Sequence, residues 1–456
     1  MMQAMKNALT LLFLLIMFIP TASRAQQAWS LEDCIVHALE NNIQIKQQSL
    51  GVDIAREHLS QSRANRFPSL NGSASHNYNF GRSLDPLTNE FATETVRSNN
   101  FNLSSGLTLF NGFQITNIIR QNELELQASR YDVERMQNDI ALLVASYYLQ
   151  ILFSKELLAI AGNQLDITRQ QVERTARLVE AGTLARGNLF TIEAMAATEE
   201  LQVVNAQNNL QLAYLDLVQL LDLETTEGFS IVTPDITITP GDDHLFSPIN
   251  IYQTAVQSQP EVLSANMRVE SAERSVDIAR GARSPSLTAR GSYGSGYSSA
   301  IQDVTGTFPD IQMETKPFRD QLRDNESRSL GLFLNIPIFN NLQVRSSVNR
   351  SRIALENARL SNQLVRDQLF KTIQQAHADA QAALKRYTAT EKNVTALEEA
   401  FRYTEQRFNV GLVNALEYND ARNRLATAQS ELTQSKYEYV FRLQILEFYM
   451  GNPIRL

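Results

Sequence analysis

The sequence predicts an α+β membrane protein built as an internal two-fold repeat, and three observations carry that prediction. Four stretches alternate strictly between apolar and small polar residues, the pattern of strands with one wet face. Helical patterns run for as many as about 69 residues without a proline, longer than any compact domain would use. The punctuation recurs at fixed offsets: Gly182 and Gly411 each interrupt a helical pattern and lie 229 positions apart, and Phe110-Asn111-Gly112 stands at the same distance from Phe339-Asn340-Asn341. With two strands in each half the chain has four. Four strands cannot close a membrane barrel, because unpaired backbone groups in hydrocarbon cost several kcal/mol each and the smallest such barrels need about eight. Three copies would supply twelve.

Residues 1–25 read as a secretory signal, with Lys6, an apolar run from Ala8 to Pro20 and Ser23-Arg24-Ala25 before an expected start at Gln26. The net charge of −8 becomes about −10 without that segment, which makes nucleic acid a poor partner. Cys34, the one cysteine, follows Glu32-Asp33 inside a helical pattern, so neither a lipid anchor at the cleavage point nor an internal disulfide is expected. No uninterrupted run of about 18 apolar residues follows the signal. If the exported chain enters a membrane, strands must carry it.

The first repeat covers residues 26–223. Ser30 with Asp33 marks a helix start, and the helical pattern continues past Asn41-Asn42 to about Arg66, where Phe67-Pro68 stops it. The β-hairpin at about 69–110 alternates Leu70, Gly72, Ala74, His76, Tyr78 and Phe80 against serines and asparagines, then Phe101, Leu103, Leu107 and Leu109 against Asn102, Ser104, Gly106 and Thr108. A polar loop, residues 81–97, joins them. A long helical hairpin, 113–223, turns at Gly182, and residues 224–246 with Pro234 and Pro240 form a linker.

The second repeat, 247–456, follows the same plan. Ser247 and Pro285 match Ser30 and Pro68 at an offset of 217, whereas matches from Phe339 onward are at 229, so twelve extra residues fall within its β-hairpin at about 286–339. Its strands carry Leu287, Ala289, Tyr293 and Tyr297, then Leu330, Leu332, Leu334, Ile336 and Ile338, with a long polar loop at about 298–326 between them. The helical hairpin 342–451 turns at Gly411. Leu158, Leu165, Val172 and Val179 recur every seven residues, as do Tyr387, Val394, Phe401 and Phe408, a coiled-coil seam.

The turn Arg407-Phe408-Asn409-Val410-Gly411-Leu412-Val413-Asn414, continued by Glu417 and Asp420-Ala421-Arg422, together with the duplication around it, resembles the helical-hairpin tip of the TolC-like outer membrane efflux proteins. The resemblance spans nearly the whole mature chain. It implies a homotrimer whose twelve-stranded β-barrel in outer-membrane lipid is continued by a coiled-coil α-helical barrel through the periplasm. It also implies a passive exit duct of a tripartite efflux or type I secretion system, fed by a periplasmic adaptor and an inner-membrane pump. In such a duct Gly182, Thr183, Leu184, Gly411, Leu412 and Val413 would form the adaptor-docking tips. Glu417 and Asp420, three apart on one helix face, align with the acidic positions that line the family's pore constriction. The tyrosine, arginine and aspartate contacts that hold family members shut are not matched, since Phe408, Val413 and Asn188 stand in those places.

No catalytic constellation is expected. His37, His58, His76, His244 and His377 are scattered without metal-ligand spacing, and Gly291-Ser292-Tyr293-Gly294-Ser295-Gly296 lies in an alternating strand where a phosphate loop would precede a helix. Neither a cofactor nor a metal is implied. The rival reading is a soluble periplasmic coiled-coil scaffold or adaptor, which gives no reason for four alternating strands.

Overall fold

The computed structural model describes residues 28–84, 89, 91–92, 95–234, 247–305 and 312–455, so the expected signal segment and residues 235–246 of the expected linker lie outside the described residues. In chain order the elements are α1 (Leu31–Asn41), α2 (Ile43–Ala64), β1 (Ser69–Asn79), β2 (Ser83–Leu84), β3 (Phe91–Ala92), β4 (Val96–Phe110), α3 (Gln114–Glu180) and α4 (Arg186–Leu220). There follow α5 (Pro248–Ser258), α6 (Pro260–Gly281), β5 (Ser286–Ser298), β6 (Gln302–Thr305), β7 (Gln312–Thr315), α7 (Phe318–Asp324), β8 (Ser327–Asn335), α8 (Gln343–Asn409) and α9 (Ala415–Tyr449). Two compact units emerge, one of Met1–Lys46, Met136–Ala255 and Phe370–Leu456, the other of Gln47–Arg135 and Val256–Leu369. Each draws on both halves of the chain.

The start of the first helix follows the sequence closely. Ser30 Oγ accepts from the Asp33 amide at 3.1 Å while Asp33 Oδ2 accepts from the Ser30 amide at 3.0 Å, a reciprocal cap. Where the pattern predicts one helix through Asn41-Asn42, however, the chain breaks at Asn42, with φ −57 and ψ 129. The asparagine side chain explains the break: its oxygen accepts from the Gln44 amide at 2.9 Å, starting α2, and its Nδ2 donates to Leu220 O at 3.0 Å. Local side-chain bonding of this kind competes with helix continuation.

The loops also hold more structure than expected. Residues 81–97 contain the short β2–β3 pair, and β4 begins at Val96, five residues before the alternation becomes visible at Phe101. Residues 298–326 contain the β6–β7 pair and α7, held by the fully buried Gln321. Its oxygen accepts from the Ser298 amide at 2.9 Å, and its nitrogen donates to Ser298 O and Lys316 O.

Helices α3 and α8 each have 67 residues, about 100 Å at 1.5 Å per residue. Against the expectation that no apolar stretch of about 18 residues follows the signal, α3 includes an 18-residue window apolar enough, by composition, to cross a membrane. Its Val144, Ala145, Tyr148, Leu149, Ile151 and Leu152 are instead core, packed in the same unit as Leu31, Cys34, Leu217, Leu221, Ile231 and Ile251. Tyr148 donates its hydroxyl to Val232 O at 2.6 Å, and burial pushes the Cys34 thiol up to about 12. The heptad residues of α3 and α8 are all buried or half-buried, as a seam requires.

In the other unit a small core of Leu59, Ile119 and Leu126 joins α2 to the first part of α3, and Asp132 accepts from Ser264 and Arg268 of α6. Gly112, at φ +66, lies so close to Gly281 that a Cβ on either would collide with the other's carbonyl oxygen.

The same unit holds an antiparallel sheet in the order β1-β4-β5-β8. Its register sorts every side chain onto one of two faces. Rows on one face read Leu107–Ala289–Leu332, Leu70–Ser105–Gly291–Leu330 and Gly72–Leu103–Tyr293–Arg328. Rows on the other read Asn71–Ser104–Ser292–Ser329 and Ser73–Asn102–Gly294–Ser327. Leu330 is 89% exposed and Ile338, just past β8, 94%, with Leu332, Leu334 and Ile336 between them also exposed. The glycine-rich run resembling a phosphate loop lies wholly within β5.

Candidate functional site: the hairpin tips and the polar layer behind them

Both helical hairpins turn with one device. Gly182 (φ +74) and Gly411 (φ +78) take the left-handed conformation that ends a helix without a Cβ penalty. At the first, Gly182 N donates to Val179 O and Thr183 N to Leu178 O; at the second, Gly411 N donates to Phe408 O and Leu412 N to Arg407 O. The Thr183 hydroxyl adds a bond to Leu178 O at 2.7 Å. After the second turn Asn414 caps α9 by accepting from the Glu417 amide at 2.9 Å, whereas Ala185 before α4 provides no side-chain cap. Leu184 and Leu412 are exposed, the latter by 70%, but Val413 is only 9% exposed and packs inward.

Glu417 and Asp420 both face outward from α9, while Tyr418 and Asn419 between them are buried. Each carboxylate has an arginine of its own: Arg407 Nη1 lies 3.3 Å from Glu417 Oε1 and Arg424 Nη2 2.9 Å from Asp420 Oδ2, all four side chains being more than half exposed. Such exposed pairs contribute little stability. They do bring positive charge to the carboxylates, which spacing alone did not reveal.

Behind this face lies a polar layer that sequence reasoning did not single out. Arg422 Nη2 donates to Glu199 Oε1 and to Thr168 Oγ1, both at 2.6 Å, with the Arg422 and Glu199 side chains only 3% and 5% exposed. Gln164, in the amide orientation that satisfies both groups, accepts from Arg422 Nε at 2.7 Å. Three helices, α3, α4 and α9, are thus tied at one guanidinium. Burial pushes the Arg422 pKa below its ordinary value, and the charge of Glu199 opposes that shift. Glu199 Oε2 and Arg422 Nη1 have no hydrogen-bond partner among the described residues. Phe408 stacks on Tyr418 with centroids 4.6 Å apart, and Phe401 packs on the same ring at 5.3 Å. Tyr437 on α9 donates to Glu156 on α3 at 2.6 Å. The available signal was Tyr418 and Arg422, four apart on the seam side of α9, where an apolar pair would be expected.

Among the described residues no three of His, Cys, Asp and Glu converge as a metal-binding group. An amphipathic sheet whose edge strand β8 lines up exposed leucines on one face, on one chain with two long helical hairpins, defines a class of outer-membrane channel proteins.

Comparison with known proteins gives the family. The model of the outer membrane efflux protein family matches residues 34–222 and 251–452, and the chain belongs to that family. It is 23% identical over 413 residues to the outer membrane efflux protein BepC of Brucella suis biovar 1 (strain 1330), covering 90% of this chain and 83% of that one. It is 23% identical over 436 residues to the outer membrane protein TolC of Vibrio cholerae serotype O1, covering 95% and 93%. Among solved structures it superposes on the outer membrane protein VceC of Vibrio cholerae with a TM-score of 0.74 at 18% identity, covering 93% of this chain and 96% of that one. The chain is therefore an outer-membrane protein of efflux transport.

Proposed function

We propose that three copies of this chain close a twelve-stranded barrel in the outer membrane, and that the assembly is a passive exit duct for solutes handed on by an inner-membrane pump through a periplasmic adaptor. One observation carries the reading: a four-stranded sheet, apolar on one face and Ser/Asn/Thr/Gly-rich on the other, whose outer strands β1 and β8 are left without partners in its sheet order. In a bilayer such edges must be closed, and neighbouring copies can close them. From Leu330 to Ile338 the apolar side chains extend about 26 Å along the chain, comparable to the apolar band of about 25 Å on outer-membrane barrels. A soluble scaffold would not leave that row in water.

The duct does no chemistry of its own in this reading, and its plan is an internal repeat. Supporting the repeat are matched helix lengths: 11 residues in α1 and α5, 22 in α2 and α6, 67 in α3 and α8, 35 in α4 and α9. The two repeats, 26–223 and 247–456, are joined by the linker 224–246.

The tips, Gly182-Thr183-Leu184 and Gly411-Leu412-Val413, are the adaptor-docking surface in this reading, with Leu184 and Leu412 as its exposed apolar members and Val413 as internal support. Replacing both Leu184 and Leu412 with Asp is expected to abolish export while detergent-extracted protein keeps its wild-type oligomeric mass. Undiminished export by that variant would remove the tips from the interface.

Glu417 and Asp420 form an acidic ring at the constriction, six carboxylates in three chains. Their counterparts at the other tip, Asn188 and Thr191, are uncharged. In a narrow passage the carboxylates favour cations, and Arg407 and Arg424 moderate that field. Replacing both acids with Ala is expected to lower cation selectivity in planar-bilayer recordings and to relieve block by divalent cations, with wild-type block weakening as salt rises. Wild-type selectivity and block in the double variant would show a solvated helix face and no ring.

A further inference from the structure

The polar face of the sheet has two residues that break its composition. Away from the loop end of the sheet, where Val96 pairs with Asn79, every paired position on that face of β1, β4, β5 and β8 is Ser, Asn, Thr or Gly except Arg290 and Phe333. These two exceptions are diagonal neighbours, since Arg290 pairs with Gly331 and Phe333 with Thr288. The Arg290 guanidinium carbon lies 5.2 Å from the centroid of the Phe333 ring, a cation–π contact.

The surroundings are shaped to that pair. Arg290 has a glycine on each neighbouring strand, Gly106 and Gly331, so no side chain crowds it laterally. The Phe333 ring folds over Gly331 so closely that a Cβ there would stand 3.2 Å from it. Beyond the pair, the hydroxyls of Ser292 and Ser329 bond each other at 2.7 Å. Together these groups border a hollow of about 570 Å³. No carboxylate pairs with Arg290 among the described residues. A guanidinium stacked by one face keeps its N–H donors free at the edge, in the fork geometry that fits a carboxylate.

We propose that Arg290 and Phe333 form a binding station for aromatic carboxylates on the polar face, the carboxylate on the guanidinium, the ring on Phe333 and the serine hydroxyls around them. That this face lines the lumen rests on the trimeric-barrel reading. Three such stations in the duct would slow and select anionic aromatic solutes in passage.

The probe is phthalate, a water-soluble aromatic dicarboxylate. In planar bilayers, phthalate is expected to block wild-type current in a concentration-dependent way, with the blocking concentration raised about tenfold or more in Arg290→Gln and less in Phe333→Ala. The same benzene ring bearing two ammoniomethyl groups should show no dependence on Arg290. Equal block of wild type and Arg290→Gln by phthalate would overturn the station. Equilibrium dialysis of phthalate against the protein in lipid nanodiscs separates the two readings. Absence of any channel in the bilayer with Arg290-dependent phthalate binding in nanodiscs would refute the duct and keep the site; channels without Arg290-dependent binding would refute the site and keep the duct.

Discussion

Replacing Arg422 with alanine is expected to cost about 3–5 kcal/mol of stability in the unit that carries the hairpin tips. The reason is the partner left behind. Glu199 would stay buried with its negative charge uncompensated, and the Thr168 and Gln164 acceptors would lose their donor. Glu199→Ala should be comparably harmful, because a buried guanidinium without its carboxylate is no better placed. The double change Glu199→Gln with Arg422→Met should recover most of the loss, since a neutral pair of similar volume removes both desolvated charges. Thermal unfolding of the purified protein, followed by helix signal, checks this. Recovery by the double variant separates a charge effect from loss of packing, and a single variant that unfolds with the wild type would show that the pair contributes nothing.

The second large effect lies in the sheet. Leu334, central in the exposed row from Leu330 to Ile338 and opposite Leu287, should not tolerate arginine. At the middle of the bilayer that change costs about 2–4 kcal/mol per copy, and three copies would bear it together. Asn102→Arg, on the polar face, adds the same charge where water can reach it and is the control. Membrane-inserted protein should fall sharply for Leu334→Arg and stay near the wild-type level for Asn102→Arg. Equal insertion of both variants would mean that the Leu334 face does not meet lipid.

Much of the architecture was legible because it rests on local rules. Strand faces could be read from alternation alone, and the register places Leu103 beside Tyr293 and Ser104 beside Ser292 as that alternation requires. The turns at Gly182 and Gly411 were legible because a helix end that needs positive φ favours glycine. What escaped depends on partners distant in the chain. The break at Asn42 is fixed in part by Leu220 O, 178 positions away, and the hairpin β6–β7 and α7 are anchored by Gln321 reaching Ser298. Arg422 looked like another charge on a helix until Glu199 and Thr168 from two other helices closed on it. The arginines beside Glu417 and Asp420 were also present in the sequence, four residues on from Asp420 and ten before Glu417, but only the fold shows that they reach the carboxylates. Of the two apolar residues expected at the second tip, Leu412 is exposed and Val413 packs inward, a difference that adjacency in the sequence does not show.

The central claim, that neighbouring chains complete the membrane sheet, is tested most directly by the native mass of the protein released intact from outer membranes in mild detergent. The expected result is a species of three chains for the wild type and for Asn102→Arg, with sharply less of it recovered from membranes for Leu334→Arg. A wild-type protein extracted from the membrane as a folded single chain would contradict it, because β1 and β8 would then face lipid with unpaired backbone groups along their whole length.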